Sequence, residues 1–197
     1  MEVPDGFTPI EFDLYHAFRV SSINFPFLKT LNLHTIVVID SGAPSRSLTE
    51  FAETHNVKLV HLVTEAWRSV TSEHQQIMHV YSQALKYVLD MRNYPLLVLG
   101  TSLITGVIRR LENWSFAPIM SDYSALSEVT GAFIRLADLA SIEVMEFVPG
   151  NVDSENNDST EPEESINPLR SVVVVDLPVK EFRPEWVKNY GIDFPKA

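Results

Sequence analysis

The sequence contains no cysteine. A chain without thiols cannot form a disulfide, cannot bind zinc through sulfur and cannot present a cysteine thiolate as a nucleophile. The absence does not identify a cellular compartment, because proteins of reducing compartments often use few cysteines. It does exclude, from this chain's own residues, every mechanism that needs a thiol.

Basic residues are also scarce. Fifteen Lys and Arg stand against 26 Asp and Glu, which gives a formal net charge of −11 and a pI near 4.9. Proteins that bind nucleic acid concentrate Lys and Arg to neutralise the phosphate backbone. We therefore expect no nucleic acid among the partners.

Long hydrophobic runs are absent as well. The longest, such as Thr35–Ile39 and Val172–Val175, are far shorter than the roughly 20 residues that cross a bilayer. The first residues, Met1–Asp5, are acidic where a secretory signal would begin with basic residues. The sequence predicts no membrane span and a cytoplasmic protein.

What the sequence does contain is enough apolar material for one core, with 197 residues of which 45% are hydrophobic. Three short runs rich in Val, Ile and Leu show no alternation of polar and apolar residues, as is typical of strands buried on both faces. These predicted central strands are His34–Asp40, Val57–Val63 and Pro95–Leu99.

Apolar residues at helical spacing predict helices between and after these strands. The predicted helices are Ser45–His55, Ser72–Met91, Leu103–Trp114, Pro118–Ser127 and Ala132–Phe147. A βαβ unit followed by a run of helices indicates an α/β fold, with a central sheet flanked by helices and the last helices gathered on one side.

The region after residue 149 differs in composition. Gly150–Pro168 carries six acidic residues and no basic one, so we expect it to be disordered, and without those six the net charge is −5. Residues 169–197 combine the apolar run Arg170–Leu177 with several aromatic residues. We expect this tail to dock on the domain formed by residues 1–149, where it could add an edge strand; the alternative is a docking segment for another protein.

Three blocks of sequence carry a family resemblance: Asn24–Leu28, Asp90–Val98 and Arg109–Trp114. Together with their order along Phe7–Phe147, they resemble the fungal and plant atypical dual-specificity phosphatases that act on inositol pyrophosphates. The related oxidant-induced cell-cycle arrest group of budding yeast is similar too. The resemblance implies a tyrosine and dual-specificity phosphatase-like sheet flanked by helices, here in a cysteine-less member.

The catalytic loop departs from this family. Active relatives carry His-Cys-x-x-Gly-x-x-Arg-Thr-Gly between strand and helix, whereas an ungapped match of the flanking blocks leaves only Leu99-Gly100-Thr101-Ser102. A second alignment pairs Thr105-Gly106 with the final Thr-Gly and puts Ile104 where Arg should be. A cysteine phosphatase needs the thiolate, a cradle of backbone amides and the clamping Arg. We therefore expect no enzyme activity and no catalytic residue.

Gly100, Thr101 and Ser102 form a degenerate remnant of the phosphate loop. They could bind an anion weakly through backbone amides, although an ordinary turn and helix cap is the simpler interpretation. Arg109-Arg110 could likewise contact an anion, or could simply favour the end of a helix. His74 and His79 lie five residues apart on one predicted helix and point in different directions, so we expect no metal and no cofactor.

The resemblance implies a function through binding. We expect a pseudophosphatase that acts as a binding or scaffold subunit in a hetero-complex with related phosphatase-like proteins, with a role in a stress or cell-cycle response. Two alternatives remain open: a sensor that binds inositol polyphosphates, and a weak phosphohydrolase that uses a non-thiol mechanism through Ser102.

Overall fold

The computed structural model describes residues 1–63, 70–130, 142–149 and 171–189. Its central sheet has five strands: β1 (Thr8–Glu11), β2 (Leu14–Ala17), β3 (Thr35–Asp40), β4 (Lys58–Val63) and β5 (Leu96–Gly100). Their order across the sheet is β1-β2-β5-β3-β4, with β1 antiparallel to β2 and every other pair parallel. The three predicted central strands are thus confirmed within one residue at each end.

Helices cover both faces of the sheet, which confirms the predicted α/β fold. They are α1 (Phe25–Thr30), α2 (Arg46–Thr54), α3 (Val70–Val88), α4 (Leu103–Leu111), α5 (Phe116–Thr130) and α6 (Glu185–Asn189), with short 3-10 helices at Ser22–Asn24, Met91–Asn93 and Lys180–Phe182. Across the described ranges, none of these helices combines the length and hydrophobicity needed to span a bilayer.

The last predicted helix, Ala132–Phe147, is wrong at its end. Residues 132–141 lie outside the described residues, but Glu146–Pro149 form a strand, β6. Glu146 and Phe147 pair with Val172 and Val173 across more than twenty residues of sequence, and such a long-range pairing is not visible in the local spacing of apolar residues.

Alternate residues of the buried strands face two separate apolar layers. Val37, Ile39 and Val98 pack with α3, α4 and α5, whereas Ile36 and Leu97 pack with α1 and α2. Each of these five side chains is at most 4% exposed. Fully burying a side chain of this size contributes about 1.5–3 kcal/mol, so the three-layer packing stabilises the sheet from both sides.

The C-terminal strand β7 (Val172–Val175) does not extend the central sheet. It pairs in parallel with β6 in a separate two-stranded sheet and lies along α3, where the Val174 N–H donates to Ser82 Oγ at 3.0 Å. Val173, Val175 and Trp186 are buried in the same apolar cluster as α3 and α4. The predicted acidic segment 150–168 lies outside the described residues, and the division into three segments stays a prediction.

Ser82→Ala tests the contact between α3 and β7. Ser82 is 7% exposed, accepts from Val174 N and donates to the Met78 carbonyl at 3.0 Å. Its loss leaves the Val174 N–H without this acceptor, so we expect the free energy of unfolding to fall by about 1–2 kcal/mol in urea titrations.

Thr54→Ala is the matched control for this prediction. Thr54 makes the same i to i−4 bond, donating to the Glu50 carbonyl at 2.7 Å, but on an exposed surface. We expect it to change stability by less than about 0.5 kcal/mol. Equal losses in both variants would contradict the role given to the β7 contact.

Candidate functional site

The site predicted from the sequence is the connection between β5 and α4. β5 ends at Gly100 and α4 begins at Leu103, so only Thr101 and Ser102 join them. Thr105 and Gly106, which the second alignment matched to the family's Thr-Gly, lie in the first turns of α4 and are buried. The structure therefore brings the three predicted residues together in a short turn at the C-terminal edge of the parallel strands.

Gly100 fits where another residue would not. Its φ angle is +124°, in the region that favours glycine, and a Cβ built on it would collide with the Ile39 carbonyl oxygen of β3. The end of β5 thus lies in direct backbone contact with the end of β3. This close approach fixes the point from which the turn to α4 starts.

His16 on the neighbouring strand β2 contacts the start of this turn. Its side chain is fully buried, and Nε2 lies 3.2 Å from the Gly100 carbonyl oxygen, to which it donates in the Nε2-protonated tautomer. Burial lowers the pKa of His16 to about 4 and outweighs the opposing hydrogen bonds with the backbone of Gly100, Thr101 and Gly6. The imidazole is therefore neutral at neutral pH. Sequence reasoning missed His16, whose only signal is a lone polar residue in an apolar strand.

The helix cap is made by Thr101 and not by Ser102. Thr101 Oγ1 accepts from the Leu103 N–H at 3.2 Å, whereas Ser102 stands at the N-cap position without a capping side-chain bond. Ser102 is 4% exposed and borders a cavity of about 10 Å³, which is room for about one water. The cavity is lined by Ser102, Thr105, Gly106, Arg109, Ile119, Asp122 and Tyr123. Anion binding by Gly100, Thr101 and Ser102 stays a prediction.

Arg109 also lines this cavity, but its polar contacts belong to a cluster around the last turn of α4. Its Nη1 donates to Glu112 Oε2 at 2.9 Å and to Glu11 Oε1 at 3.3 Å, its Nη2 donates to the Ile10 carbonyl at 2.9 Å, and its guanidinium lies 4.3 Å from the Trp114 ring centre. Burial raises the pKa of Glu112, and Arg109 opposes that shift. These contacts favour the structural interpretation of Arg109 over a contact with an anion at the turn.

Comparison with known proteins assigns the chain to a family. A sequence profile described as "Tyrosine phosphatase family" matches residues 2–159. The chain belongs to this family. The core catalytic domain of the PP-IP phosphatase SIW14 from S. cerevisiae, solved with citrate, is 25% identical with a TM-score of 0.62, over 72% of this chain and 86% of that one.

Curated relatives agree with this family. The OCA1 protein of Kluyveromyces lactis, whose name assigns it provisionally to the tyrosine-protein phosphatases, is 29% identical over 72% of this chain and 74% of its own length. The "Probable tyrosine-protein phosphatase DG1060" of Dictyostelium discoideum is 27% identical over 73% of this chain and 87% of its own length. The predicted resemblance to inositol-pyrophosphate phosphatases and to the oxidant-induced arrest group is confirmed.

The same comparisons correct the expectation that the protein is not an enzyme. Its relatives carry phosphatase names, and the similar solved structure is described as a catalytic domain. These findings point to a family of enzymes. The physical reason for the error is that a missing cysteine removes one nucleophile from this chain without excluding another mechanism.

Gly100→Ala tests the close approach of β5 to β3. The added Cβ meets the Ile39 carbonyl oxygen, and the positive φ is strained for any L side chain, so we expect a loss of at least about 1–3 kcal/mol of unfolding free energy. Gly42→Ala is the control, because nothing lies within 4 Å of its Cβ position. Urea unfolding that ranks the two variants as equal would show that the turn relaxes freely.

His16→Gln tests the buried imidazole. The folded pKa of about 4 lies below the unfolded value of 6.5, so the unfolded state binds the proton first and stability is lost as pH falls through this window. We expect the wild type to lose up to about 3 kcal/mol between pH 7 and pH 4 beyond the loss in the variant, which keeps an N–H donor but cannot titrate. Parallel stability curves from pH 7 to 4 would contradict this assignment.

Proposed function

We propose that this protein is a binding subunit that works in a complex with related phosphatase-like proteins. The observation that carries the proposal is the two-residue turn of Thr101 and Ser102 in a family of phosphatases, on a chain that contains no cysteine. Cysteine phosphatases attack phosphorus with a thiolate. In the proposed complex, that thiolate comes from a cysteine-bearing relative.

The turn is tightly packed, and this packing is the reason for assigning the substrate to a partner in the proposed complex. Gly100 packs closely against the Ile39 carbonyl of β3, and His16 is hydrogen-bonded to the Gly100 carbonyl. The cavity beside Ser102 has room for about one water. A phosphoryl group is larger than one water, so this cavity cannot enclose it in the arrangement described. The frame of the family is thus retained around a turn that has little room of its own for a substrate.

Native purification tests the complex. We expect the full-length tagged chain, isolated from the cells that express it naturally, to bring down members of the same family in near-equal molar amounts by mass spectrometry. We further expect the purified complex to release phosphate from an inositol pyrophosphate or a phosphotyrosine peptide. A Cys→Ser change in the co-purified relative should abolish that release by removing the thiolate.

Two results would contradict the proposal. One is a chain that purifies without any member of its family under conditions that preserve other native complexes. The other is a complex whose activity survives the Cys→Ser change in the relative, since the thiolate would then not be the nucleophile.

A second candidate is a phosphohydrolase that uses Ser102 itself. Ser102 borders the same cavity as Asp122, and a carboxylate near a hydroxyl is one arrangement that activates a serine. Phosphate release by the purified chain without partners, abolished by Ser102→Ala, would support this candidate over the first. Inositol polyphosphate binding without turnover is distinguished from both by calorimetry with inositol hexakisphosphate. Cytoplasmic location and a stress or cell-cycle role are part of the proposal only through the family.

A further inference from the structure

A groove of about 470 Å³ lies at the opposite edge of the sheet from the β5–α4 turn. It is lined by Glu11, Phe12, Asp13, Met91, Tyr94, Pro184, Glu185 and Trp186, and we call it the acidic groove. The Leu96 N–H at the start of β5 donates to the Asp13 carbonyl at 2.8 Å, while Gly100 ends the same strand. Four residue steps along β5, or about 13 Å, separate the two edges. The groove is therefore a second site, distinct from the turn.

Apolar side chains at the groove are unusually exposed. Phe12, in the two-residue turn between β1 and β2, is 87% exposed, and Met91 is 44% exposed. Trp186, only 7% exposed, and the half-buried Tyr94 provide a more rigid aromatic wall. Exposed apolar surface that borders a formed concave site is a common mark of a binding surface.

The charge of the groove has one sign. Glu11, Asp13 and Glu185 contribute carboxylates, and none of the eight lining residues in the described part of the chain is basic. Arg109 pairs with Glu11, but the same guanidinium also pairs with Glu112, so one positive charge is shared by two carboxylates. The groove therefore attracts cations and repels phosphorylated ligands.

We propose that the acidic groove docks a segment of a partner protein that carries an arginine beside a large apolar side chain. The planar guanidinium suits this surface because it can pair with a carboxylate through two hydrogen bonds and stack on an aromatic ring. The apolar neighbour covers Phe12 and Met91. A volume of about 470 Å³ is in the range of sites that hold such small groups.

Pentapeptides of defined sequence test this proposal on the full chain. The probes are acetyl-Gly-X-Arg-X-Gly-amide with X as Leu, Phe or Trp, and the same peptides with citrulline, which keeps the shape of arginine without its charge. In ¹⁵N NMR titrations at low salt we expect saturable shifts at the backbone amides of Phe12, Asp13 and Trp186. We expect at least tenfold weaker binding of the citrulline peptides.

Surface variants locate the contacts. Phe12→Ser should weaken the arginine peptides at least fivefold through loss of apolar cover, and Asp13→Asn should weaken them and reduce their salt dependence. Asparagine tolerates the positive φ of 58° at this position. The matched controls are Ile23→Ser and Glu50→Gln, each 59% exposed and outside the groove, which should leave the affinity unchanged.

Four outcomes would overturn the proposal. The first is no saturable shift for any probe at millimolar concentration, and the second is equal affinity for arginine and citrulline peptides. The third is binding that appears only after residues 190–197 are removed, which would make the chain's own C-terminal segment the occupant. The fourth is a concentration-dependent dimer in sedimentation that Phe12→Ser abolishes, which would make a second copy the occupant.

Discussion

The backbone contact between the end of β5 and the end of β3 governs the geometry of the candidate site. Because Gly100 lies against the Ile39 carbonyl oxygen, β5 cannot shift towards its neighbour, and α4 begins only three residues later, at Leu103. His16 on the opposite neighbour, β2, holds the Gly100 carbonyl from the other side. The turn is thus determined from both flanking strands, and Thr101 and Ser102 have little conformational choice between them.

Burial by helices on both faces of the sheet explains which parts of the fold could be predicted. β3, β4 and β5 are apolar runs because both faces of each strand are covered. The helices α2 and α3 could be predicted because each carries a single apolar stripe at helical spacing. β1 and β2 have four residues each, one of them containing Pro9, and such short strands have no periodicity to detect. β7 stands out in the sequence as an apolar run, but the first two residues of its partner β6 fall at the end of a predicted helix.

The candidate site was predicted where side chains carry the signal and missed where the backbone does. Gly100, Thr101 and Ser102 follow from their place between a buried strand and a helix. The partner of His16 is a carbonyl oxygen 84 residues away, and a carbonyl leaves no trace in the sequence. The expectation about enzyme activity was wrong for a related reason: a residue type that is missing excludes one mechanism, while function depends on everything that remains or that a partner supplies.

The two edges of the sheet are held together by the buried cluster around Arg109. Glu11 lines the acidic groove and accepts from Arg109, which lies in the last turn of α4, and α4 starts directly after Ser102. The Glu112 side chain is fully buried and that of Arg109 is 13% exposed. Breaking such a pair by removing one partner typically costs about 3–5 kcal/mol. The same guanidinium also donates to the Glu11 carboxylate and to the Ile10 carbonyl of β1, so it ties α4 to β1. A segment seated in the groove therefore cannot move the turn without disturbing this buried cluster. The groove is therefore better suited to anchoring a partner than to switching the site, and a bound partner would leave the edge that carries Gly100 to Ser102 in its present geometry.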